Sequence, residues 1–192
     1  MQQTYHMAQK IILGIAGEIA SGKDTVSELL REKYGAETVM FSGLLRDILD
    51  RLYLEQNREN LSRLSLHLRK AFGEDTFSRV ILKDAEKIDA EIIVVDGVRR
   101  LADIIHFESI GNFHFAYVNA SAEKRHERIV ARGQNTDDST KTVAQLEKDQ
   151  HLEAEAQVRD LRDRAEFMID NNGTLEELQA QVDEIVQKLR KM

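Results

Sequence analysis

The sequence predicts an α/β fold in which helices cover both faces of one parallel β-sheet. Continuous apolar runs of strand length at residues 10–16 and 92–95 indicate parallel strands that are buried on both faces. Helical patterns alternate with these and with shorter apolar runs, which is typical of a doubly wound sheet. The first run also leads into a glycine-rich turn and a helix, and this junction carries the most specific motif of the chain.

The turn spans residues 17–25, Gly-Glu-Ile-Ala-Ser-Gly-Lys-Asp-Thr, and has the G-x-x-x-x-G-K spacing of a phosphate-binding loop. Gly17 and Gly22 allow the backbone to curl around phosphate oxygens, and Lys23 can reach the outer phosphates. A solvated lysine after a glycine-rich turn would have the same spacing, but the flanking strand and helix favour nucleotide binding. We therefore expect a nucleoside triphosphate to contact Gly17, Glu18, Ile19, Ala20, Ser21, Gly22, Lys23, Asp24 and Thr25.

The residue after the lysine departs from the usual pattern. This position commonly holds a Ser or Thr that ligates Mg²⁺, whereas this chain has Asp24, followed by Thr25. A carboxylate can hold the ion directly or through water, and Thr25 can cap the helix or contact an inner phosphate. Both residues are therefore candidate metal ligands.

Composition limits the class of protein. No proline- or serine-rich stretch marks a boundary, so we predict a single domain over residues 1–192, with 1–9 as a loose tail. The net charge of -7, from 34 acidic and 27 basic residues, argues against a broad nucleic-acid-binding surface. The chain has no cysteine, which excludes disulfides and thiolate metal sites. No apolar run reaches the roughly 20 residues of a membrane helix, and we expect a cytoplasmic protein.

The remaining elements follow in order as a helix over 26–34 ended by Gly35, a strand over 38–41, helices over 42–52, 61–72 and about 75–89, strands over 92–97, 113–118 and 167–169, and a terminal helix over 175–189. Ser42 is positioned to cap its helix, and Thr174 with Glu177 forms a capping box. The helical segment of about 43–90 is predicted to bind the phosphate acceptor.

Asp96 and Arg99 follow the second buried strand. The strand ends in Asp96-Gly97-Val98-Arg99, at the edge of the sheet where ligands bind. An aspartate next to a phosphate-binding loop can hold Mg²⁺ or its waters. The arginine can bind two phosphate oxygens of a second substrate, although a solvated arginine after a buried strand is the simpler alternative.

Three arginines recur on one face of a predicted helix. Arg125, Arg128 and Arg132 stand at i, i+3 and i+7, so they could neutralise charge on phosphates during transfer. A charged helix face is also common in solvated helices. The segment of about 121–165 is predicted to form a lid and an arm, with a polar tip at 133–140 and a long helix over 141–166 that is polar almost all round.

With these motifs in hand, the chain resembles the P-loop small-molecule kinases over nearly its whole length. The pattern Arg128-x-x-x-Arg132-Gly133, followed by residues 165–178, is similar to dephospho-CoA kinase, whereas the loop over 21–25 is similar to phage-type deoxynucleoside monophosphate kinases. The resemblance implies a five-stranded parallel sheet and ATP with Mg²⁺ as the phosphate donor. It also implies an adenine near the turn over 171–173, which adds Asn171 and Gly173 to the expected ATP site.

The chemistry of the transfer narrows the choice of acceptor. Dephospho-CoA kinases transfer to a ribose hydroxyl and place an aspartate just after the second strand as a base, but this chain has Ser-Gly-Leu at 42–44 and its nearest acid is Asp47. A monophosphate is already anionic and needs only to be clamped, for which Arg46 and Arg99 are candidates. The residues therefore favour a nucleoside monophosphate acceptor over dephospho-CoA.

The predicted mechanism is in-line transfer of the γ-phosphoryl group from ATP. We expect Lys23 and the loop amides to bind the donor phosphates, and Asp96 with Asp24 or Thr25 to hold Mg²⁺. We expect Arg125 to bind ATP, and Arg128 or Arg132 to neutralise charge in the transition state. Two rivals remain: a regulatory NTPase that uses the loop as a switch, and a nucleic-acid-end kinase with a local basic groove. Base identity and oligomeric state are not encoded in these patterns.

Overall fold

The structure is a computed structural model that describes residues 10–132 and 153–192. Five strands alternate with seven helices in this part of the chain. In order they are β1 Ile11–Ala16, α1 Lys23–Tyr34, β2 Glu37–Met40, α2 Phe41–Arg51, α3 Arg58–Phe72, α4 Thr76–Lys87, β3 Ile92–Asp96, β4 Phe113–Asn119, α5 Ala122–Arg132, α6 Glu153–Asp160, β5 Phe167–Asp170 and α7 Leu175–Leu189. Two 3₁₀ turns, Leu101–Asp103 and Leu161–Arg164, complete the described elements.

The strands form one parallel sheet in the order β2-β3-β1-β4-β5. The first strand therefore lies at the centre, with β3 on one side and β4 on the other. Ile15 of β1 stands opposite Asp96 of β3 and Ala116 of β4. Because parallel strands end at the same edge of a sheet, the turn after β1 lies beside Asp96. The predicted five-stranded parallel sheet is confirmed.

Each face of the sheet is covered by its own apolar cluster. The side chains of Ile11, Leu13 and Ile15 pack on one face against α1 and α7, and Ile12 and Ala16 pack on the other against α2 and α4. All six residues of β1 are buried, as expected for a central strand between two helical layers. This burial fixes the start of the glycine-rich turn at the edge of the sheet.

The predicted ends of two helices are confirmed. Helix α1 ends at Gly35, whose φ of 65° lies in the left-handed region and whose N–H donates to the carbonyls of Leu30 and Arg31. Helix α7 begins with the predicted capping box, in which Glu177 N donates to Thr174 Oγ1 at 3.2 Å and Thr174 N donates to Glu177 Oε2 at 2.8 Å.

The start of α2 differs from the prediction. Strand β2 runs from Glu37 to Met40, and the helix begins at Phe41, so Phe41 is helical and Ser42 is not the N-cap. Met40 is the N-cap and makes no side-chain capping bond. The physical reason is burial, because Phe41 enters the core under α2 and thereby draws the helix start toward the strand.

The predicted long helix over 141–166 is confirmed over 153–160 and is wrong beyond Asp160. Helix α6 ends at Asp160 and is followed by the 3₁₀ turn Leu161–Arg164. Val158 and Leu161 are buried in the core, so this stretch is not an exposed arm. The residues of 133–152, which include the predicted lid tip, and those of the predicted tail 1–9 lie outside the described part.

The single-domain prediction over 1–192 stays a prediction. Within the described ranges, no helix is both long and apolar enough to cross a membrane.

Candidate functional site

The turn between β1 and α1 has the backbone of a tight phosphate-binding loop. Gly17 has a φ of 153° and Gly22 a φ of 97°. A Cβ on Gly17 would lie 2.4 Å from the carbonyl oxygen of Val118, and one on Gly22 would lie 2.0 Å from Asn171 Nδ2. Both positions therefore require glycine. Ala20 also has a positive φ, 58°, which is a strained conformation for a residue with a side chain.

Lys23, the first residue of α1, folds its side chain back over this loop. Its Nζ donates to the carbonyl oxygens of Gly17 at 2.7 Å and Glu18 at 3.1 Å. The ammonium group is thus held at the mouth of the loop, where phosphate oxygens would compete with the two carbonyls for its protons.

Arg128 and Asn171 hold the loop from behind. Arg128 donates to the carbonyl oxygens of Ala20 at 3.3 Å, Ser21 at 3.1 Å and Asn171 at 2.8 Å. The Asn171 side-chain amide donates to the same Ser21 carbonyl at 2.8 Å. In a trans peptide the N–H points away from the C=O, so the Gly22 amide faces away from Arg128. The hydrogen bonds from Arg128 and Asn171 to the loop carbonyls therefore leave that amide available to an anion.

The three arginines that were predicted to act on phosphates have different surroundings in the structure. Arg128 contacts loop carbonyls, as described above. Arg125 is buried, donates to the Ala120 carbonyl at 3.2 Å and forms an ion pair with Glu18 at 3.4 Å. Arg132 is the last residue of α5, and its side chain lies outside the described part.

Asp96 lies in the same site, beside Asp24, Lys23 and Arg99. Its Oδ1 accepts from the Gly97 N–H at 2.6 Å. Burial raises the pKa of Asp96 above its usual range, because the carboxylate is partly desolvated; the negative charge of Asp24 acts in the same direction, and Lys23 and Arg99 oppose it. The two carboxylates are therefore close enough for the charge of Asp24 to act on Asp96.

The residues present fit a magnesium ion together with nucleotide phosphates. Asp96 and Asp24 supply hard oxygen ligands, which Mg²⁺ prefers, and Mg²⁺ commonly takes one or two carboxylates plus phosphate oxygens. Among the described residues, no cluster of three or more His, Asp or Glu side chains forms an all-protein metal cage. Asp24 and Thr25 are both exposed and also line a shallow cavity of about 470 Å³, whose other lining residues are Glu28, Leu29, Glu32 and Leu175.

The loop after β3 is anchored by a buried ion pair that the sequence analysis missed. Asp103 accepts from the backbone N–H groups of Arg99 at 3.0 Å and Arg100 at 3.1 Å. Its other oxygen lies 2.6 Å from Arg69 of α3, and both side chains of this pair are buried. Arg69 also lies over the Phe77 ring, 4.5 Å from its centroid. The backbone of Arg99 is thus fixed while its side chain is exposed.

The two predicted acceptor residues are not brought into contact with each other. Arg99 acts on Asp96 by its charge. Arg46 is exposed on α2 and donates to Gln56 Oε1 at 3.1 Å, in the connection to α3. Asp47, the nearest acid after β2, is also exposed on α2.

The turn over 171–173 has roles within the protein. Asn171 is buried and supports the loop, as described above. A Cβ on Gly173 would lie 1.9 Å from Glu177 Oε2, so the glycine makes room for the capping box of α7. Neither observation tests the expected contact with adenine.

Arg159 is a site residue that the sequence analysis did not find. Its Nε lies 3.0 Å from Glu18 Oε1, so α6 reaches the loop across the sheet edge. Val158 and Leu161 stand three apart and are apolar, and this spacing was the available signal that one face of the segment is buried next to the site.

A family model and several known proteins match this chain. The model of the family described as "AAA domain" matches residues 14–147. The "UPF0200 protein" of Sulfurisphaera tokodaii is 30% identical over 179 residues, which cover 93% of this chain and 97% of the relative.

Two solved structures share the fold. TT1252 from Thermus thermophilus has a TM-score of 0.63 and 22% identity, over 94% of this chain and 98% of that one. The shikimate kinase from Bacteroides thetaiotaomicron has a TM-score of 0.61 and 13% identity, over 95% of this chain and 99% of that one. At these identities the likeness concerns the fold alone, which is that of P-loop kinases.

Proposed function

The chain belongs to the AAA domain family and groups with the UPF0200 proteins, and we propose that it is an ATP-dependent kinase whose acceptor is a nucleotide-type small molecule. The observation that carries the proposal is the joint geometry of the glycine-constrained loop, the Lys23 ammonium at its mouth and Asp96 at the end of the adjacent strand. Positive charge, backbone donors and a carboxylate at one sheet edge are the parts that phosphoryl transfer needs.

The roles of the residues follow from their positions. The loop amides and Lys23 bind the donor phosphates, and the exposed apolar surface of Leu175 beside the cavity suits the nucleoside. Asp96 would hold Mg²⁺ together with Asp24, with Thr25 as the alternative partner. When bound, the ion supplies positive charge to the phosphate oxygens.

Transfer breaks the bond between the γ-phosphorus and the oxygen that bridges it to the β-phosphate, and forms a bond to an acceptor oxygen. ADP leaves with the bridging oxygen. Lys23 stabilises the charge that develops on the transferred group, and Arg132 remains a candidate for the same role.

For the acceptor we propose a nucleoside monophosphate, ribo or deoxy, with dephospho-CoA as the alternative. A phosphate oxygen needs no base, and residues 42–44 offer no acid. The exposed Arg99 side chain, carried on a loop fixed by Asp103, suits an anionic acceptor beside Asp96.

The test is an assay of the full chain with ATP and Mg²⁺ against ribo- and deoxynucleoside monophosphates and dephospho-CoA, in which ADP and phosphorylated product are both measured. We expect ADP and product in equal amounts with at least one monophosphate. Product from dephospho-CoA alone would select the alternative acceptor. ADP formed equally with and without every acceptor would contradict the kinase proposal and favour a regulatory NTPase.

Arg99→Ala separates acceptor binding from donor binding. We expect the KM for the acceptor to rise about tenfold or more while the KM for ATP changes little, because one charge-assisted contact to the acceptor phosphate is lost. Arg190→Ala, which removes a partly exposed ion pair with Glu91 after the end of α7, is the matched control. An equal rise in both KM values would show that the role of Arg99 is misassigned.

A further inference from the structure

Two adjacent arginines follow β3, and their side chains have different surroundings. The Arg100 guanidinium pairs with Glu74 at 3.2 Å, in the turn between α3 and α4. The Arg99 side chain is exposed, and its charge acts on Asp96. The charge of Arg99 therefore reaches the proposed site, whereas that of Arg100 is paired with the turn.

The backbone of both arginines is held by the carboxylate of Asp103, which divides its two oxygens between different partners. Its Oδ2 accepts from the backbone N–H groups of Arg99 at 3.0 Å and Arg100 at 3.1 Å. Its Oδ1 accepts from Arg69 Nη2 at 2.6 Å. Only 1% of the Asp103 side chain is exposed, and a charge at this depth needs a compensating partner. The hold of Asp103 on the Arg99 backbone thus depends on Arg69.

Arg69 is itself fixed by contacts to three parts of the chain. It lies in the last turn of α3, and its Nη1 donates to the Glu74 carbonyl oxygen in the turn that leads to α4. Its guanidinium also lies over the ring of Phe77 on α4, 4.5 Å from the centroid. The third contact is the bond to Asp103. A buried guanidinium with these contacts has little freedom to move.

Two more contacts join the start of α4 to the segment that follows β3. His106 Nε2 lies 2.7 Å from Asp75 Oδ2, and the backbone N–H of His106 donates to Ser78 Oγ at 3.2 Å. Together with the contact of Arg100, they connect this segment to the helices both before and after Asp103. The arrangement couples the position of the segment to that of α3 and α4.

We propose that Arg69 is a positioning residue: through Asp103 it holds the backbone of Arg99 where the Arg99 guanidinium binds an anionic acceptor. The proposal rests on the kinase function proposed above and adds the residue that aligns the acceptor-binding arginine. None of the contacts that the structure shows for Arg69 involves the glycine-rich loop. Acceptor binding should therefore depend on Arg69, and ATP binding should not.

A purely structural ion pair would behave differently. Removing one partner of a buried pair leaves an uncompensated charge, so stability falls whether or not the pair also positions Arg99. A structural role alone lowers the fraction of folded protein without a selective effect on one ligand. A positioning role weakens binding of the acceptor selectively in the protein that remains folded.

The experiment is calorimetric titration of the nucleoside monophosphates and dephospho-CoA into the full chain, saturated with a non-hydrolysable ATP analogue and Mg²⁺. We expect Arg69→Met to weaken binding of the best of these acceptors about tenfold, because the charge-assisted contact from Arg99 is displaced. The affinity for the ATP analogue should change by less than about twofold. In the Arg99→Ala background, Arg69→Met should have no further effect on the acceptor, since Arg69 acts through Arg99.

Two further variants separate positioning from folding. Adding Asp103→Asn to Arg69→Met removes both buried charges, and the amide oxygen can still accept the N–H groups of residues 99 and 100. This double substitution should recover most of the lost affinity. Arg69→Lys keeps the charge but lacks the fork that reaches two acceptor oxygens at once, so it should weaken acceptor binding about threefold. It provides the test if Arg69→Met does not fold.

Arg190→Met is the matched control. Arg190 also pairs with a carboxylate, Glu91 at 2.7 Å, and also lies over an aromatic ring, 5.4 Å from the centroid of Tyr34. Because Glu91 precedes β3, this pair lies at the opposite edge of the sheet from the glycine-rich loop. The substitution should leave the affinities for the acceptor and the ATP analogue unchanged.

Several results would overturn the proposal. They are unchanged acceptor binding in folded Arg69→Met or Arg69→Lys, an equal loss of affinity for the ATP analogue, no recovery in the double substitution, and a further loss in the Arg99→Ala background. Absence of acceptor binding to the unsubstituted protein would also reject it. Binding that depends on Arg69 as expected, without phosphorylated product in the kinase assay, would instead reject the kinase function alone.

Discussion

Asp96 is the residue at which stability and function are most directly opposed. Its carboxylate is partly desolvated at the end of β3 and is repelled by the negative charge of Asp24. Both effects raise its pKa. A carboxyl group whose pKa is higher in the folded than in the unfolded protein destabilises the fold at pH values above the folded pKa. The carboxylate thus lowers the stability of the fold, but at this position it can hold Mg²⁺.

Asp96→Asn should therefore make the ligand-free protein more stable at pH 7 and less active. The melting temperature should rise, because Asn can still accept the Gly97 N–H bond without a buried charge. The gain should shrink as the pH falls through the folded pKa of Asp96, since the unsubstituted carboxyl then becomes neutral. Turnover should fall roughly 100-fold. Thermal unfolding from pH 4 to 8 and steady-state kinetics measure both effects, and a lower melting temperature at pH 7 would contradict the account.

At the scale of elements, α5 and the turn after β5 act together on the phosphate-binding loop. Arg128 and Asn171 bind the carbonyl side of the loop and hold Ala20 in its left-handed conformation. A residue with a side chain loses about 1–2 kcal/mol of conformational stability in that conformation. The hydrogen bonds from Arg128 and Asn171 therefore oppose relaxation of the loop. Arg128 thus has a positioning role in addition to the catalytic role predicted from its place in the arginine helix, and the two roles can be separated.

Arg128→Met should weaken ADP binding about tenfold, because the loop loses two hydrogen bonds to its carbonyl side and the neighbouring Asn171 carbonyl loses a third. Adding Ala20→Gly should restore part of that loss, since glycine adopts the left-handed conformation without strain. Calorimetry with ADP and Mg²⁺ measures both. If Arg128 instead acts mainly by direct contact with phosphate, Ala20→Gly will restore nothing.

The sequence was most informative for elements whose position and ends depend on local patterns. The buried runs predicted β1 and β3, Gly35 predicted the end of α1, and Thr174 with Glu177 predicted the start of α7. Burial of Phe41, Val158 and Leu161 overrode the local pattern in α2 and after α6. Arg159 and the Arg69–Asp103 pair were missed because their partners are distant in sequence, 141 and 34 residues away.

At the scale of the whole molecule, sheet order creates the site. Placing β3 beside β1 brings Asp96 to the loop, and placing β4 on the other side brings α5 and its arginines to the loop from behind. The sequence predicted parallel alternation and an Asp96 next to the loop, but not that Arg125 contacts Glu18 while Arg128 contacts the loop carbonyls. Such contacts depend on side-chain packing between separate helices.

The most direct test of the kinase account is transfer of label from γ-labelled ATP to the best acceptor, compared between the unsubstituted protein and Lys23→Ala. We predict labelled product from the unsubstituted protein and none above background from Lys23→Ala, with thermal unfolding showing that the variant is folded. Lys124→Ala, at an exposed ion pair with Glu127 on α5, should transfer label normally. Labelled product formed at an undiminished rate by a folded Lys23→Ala would contradict the account.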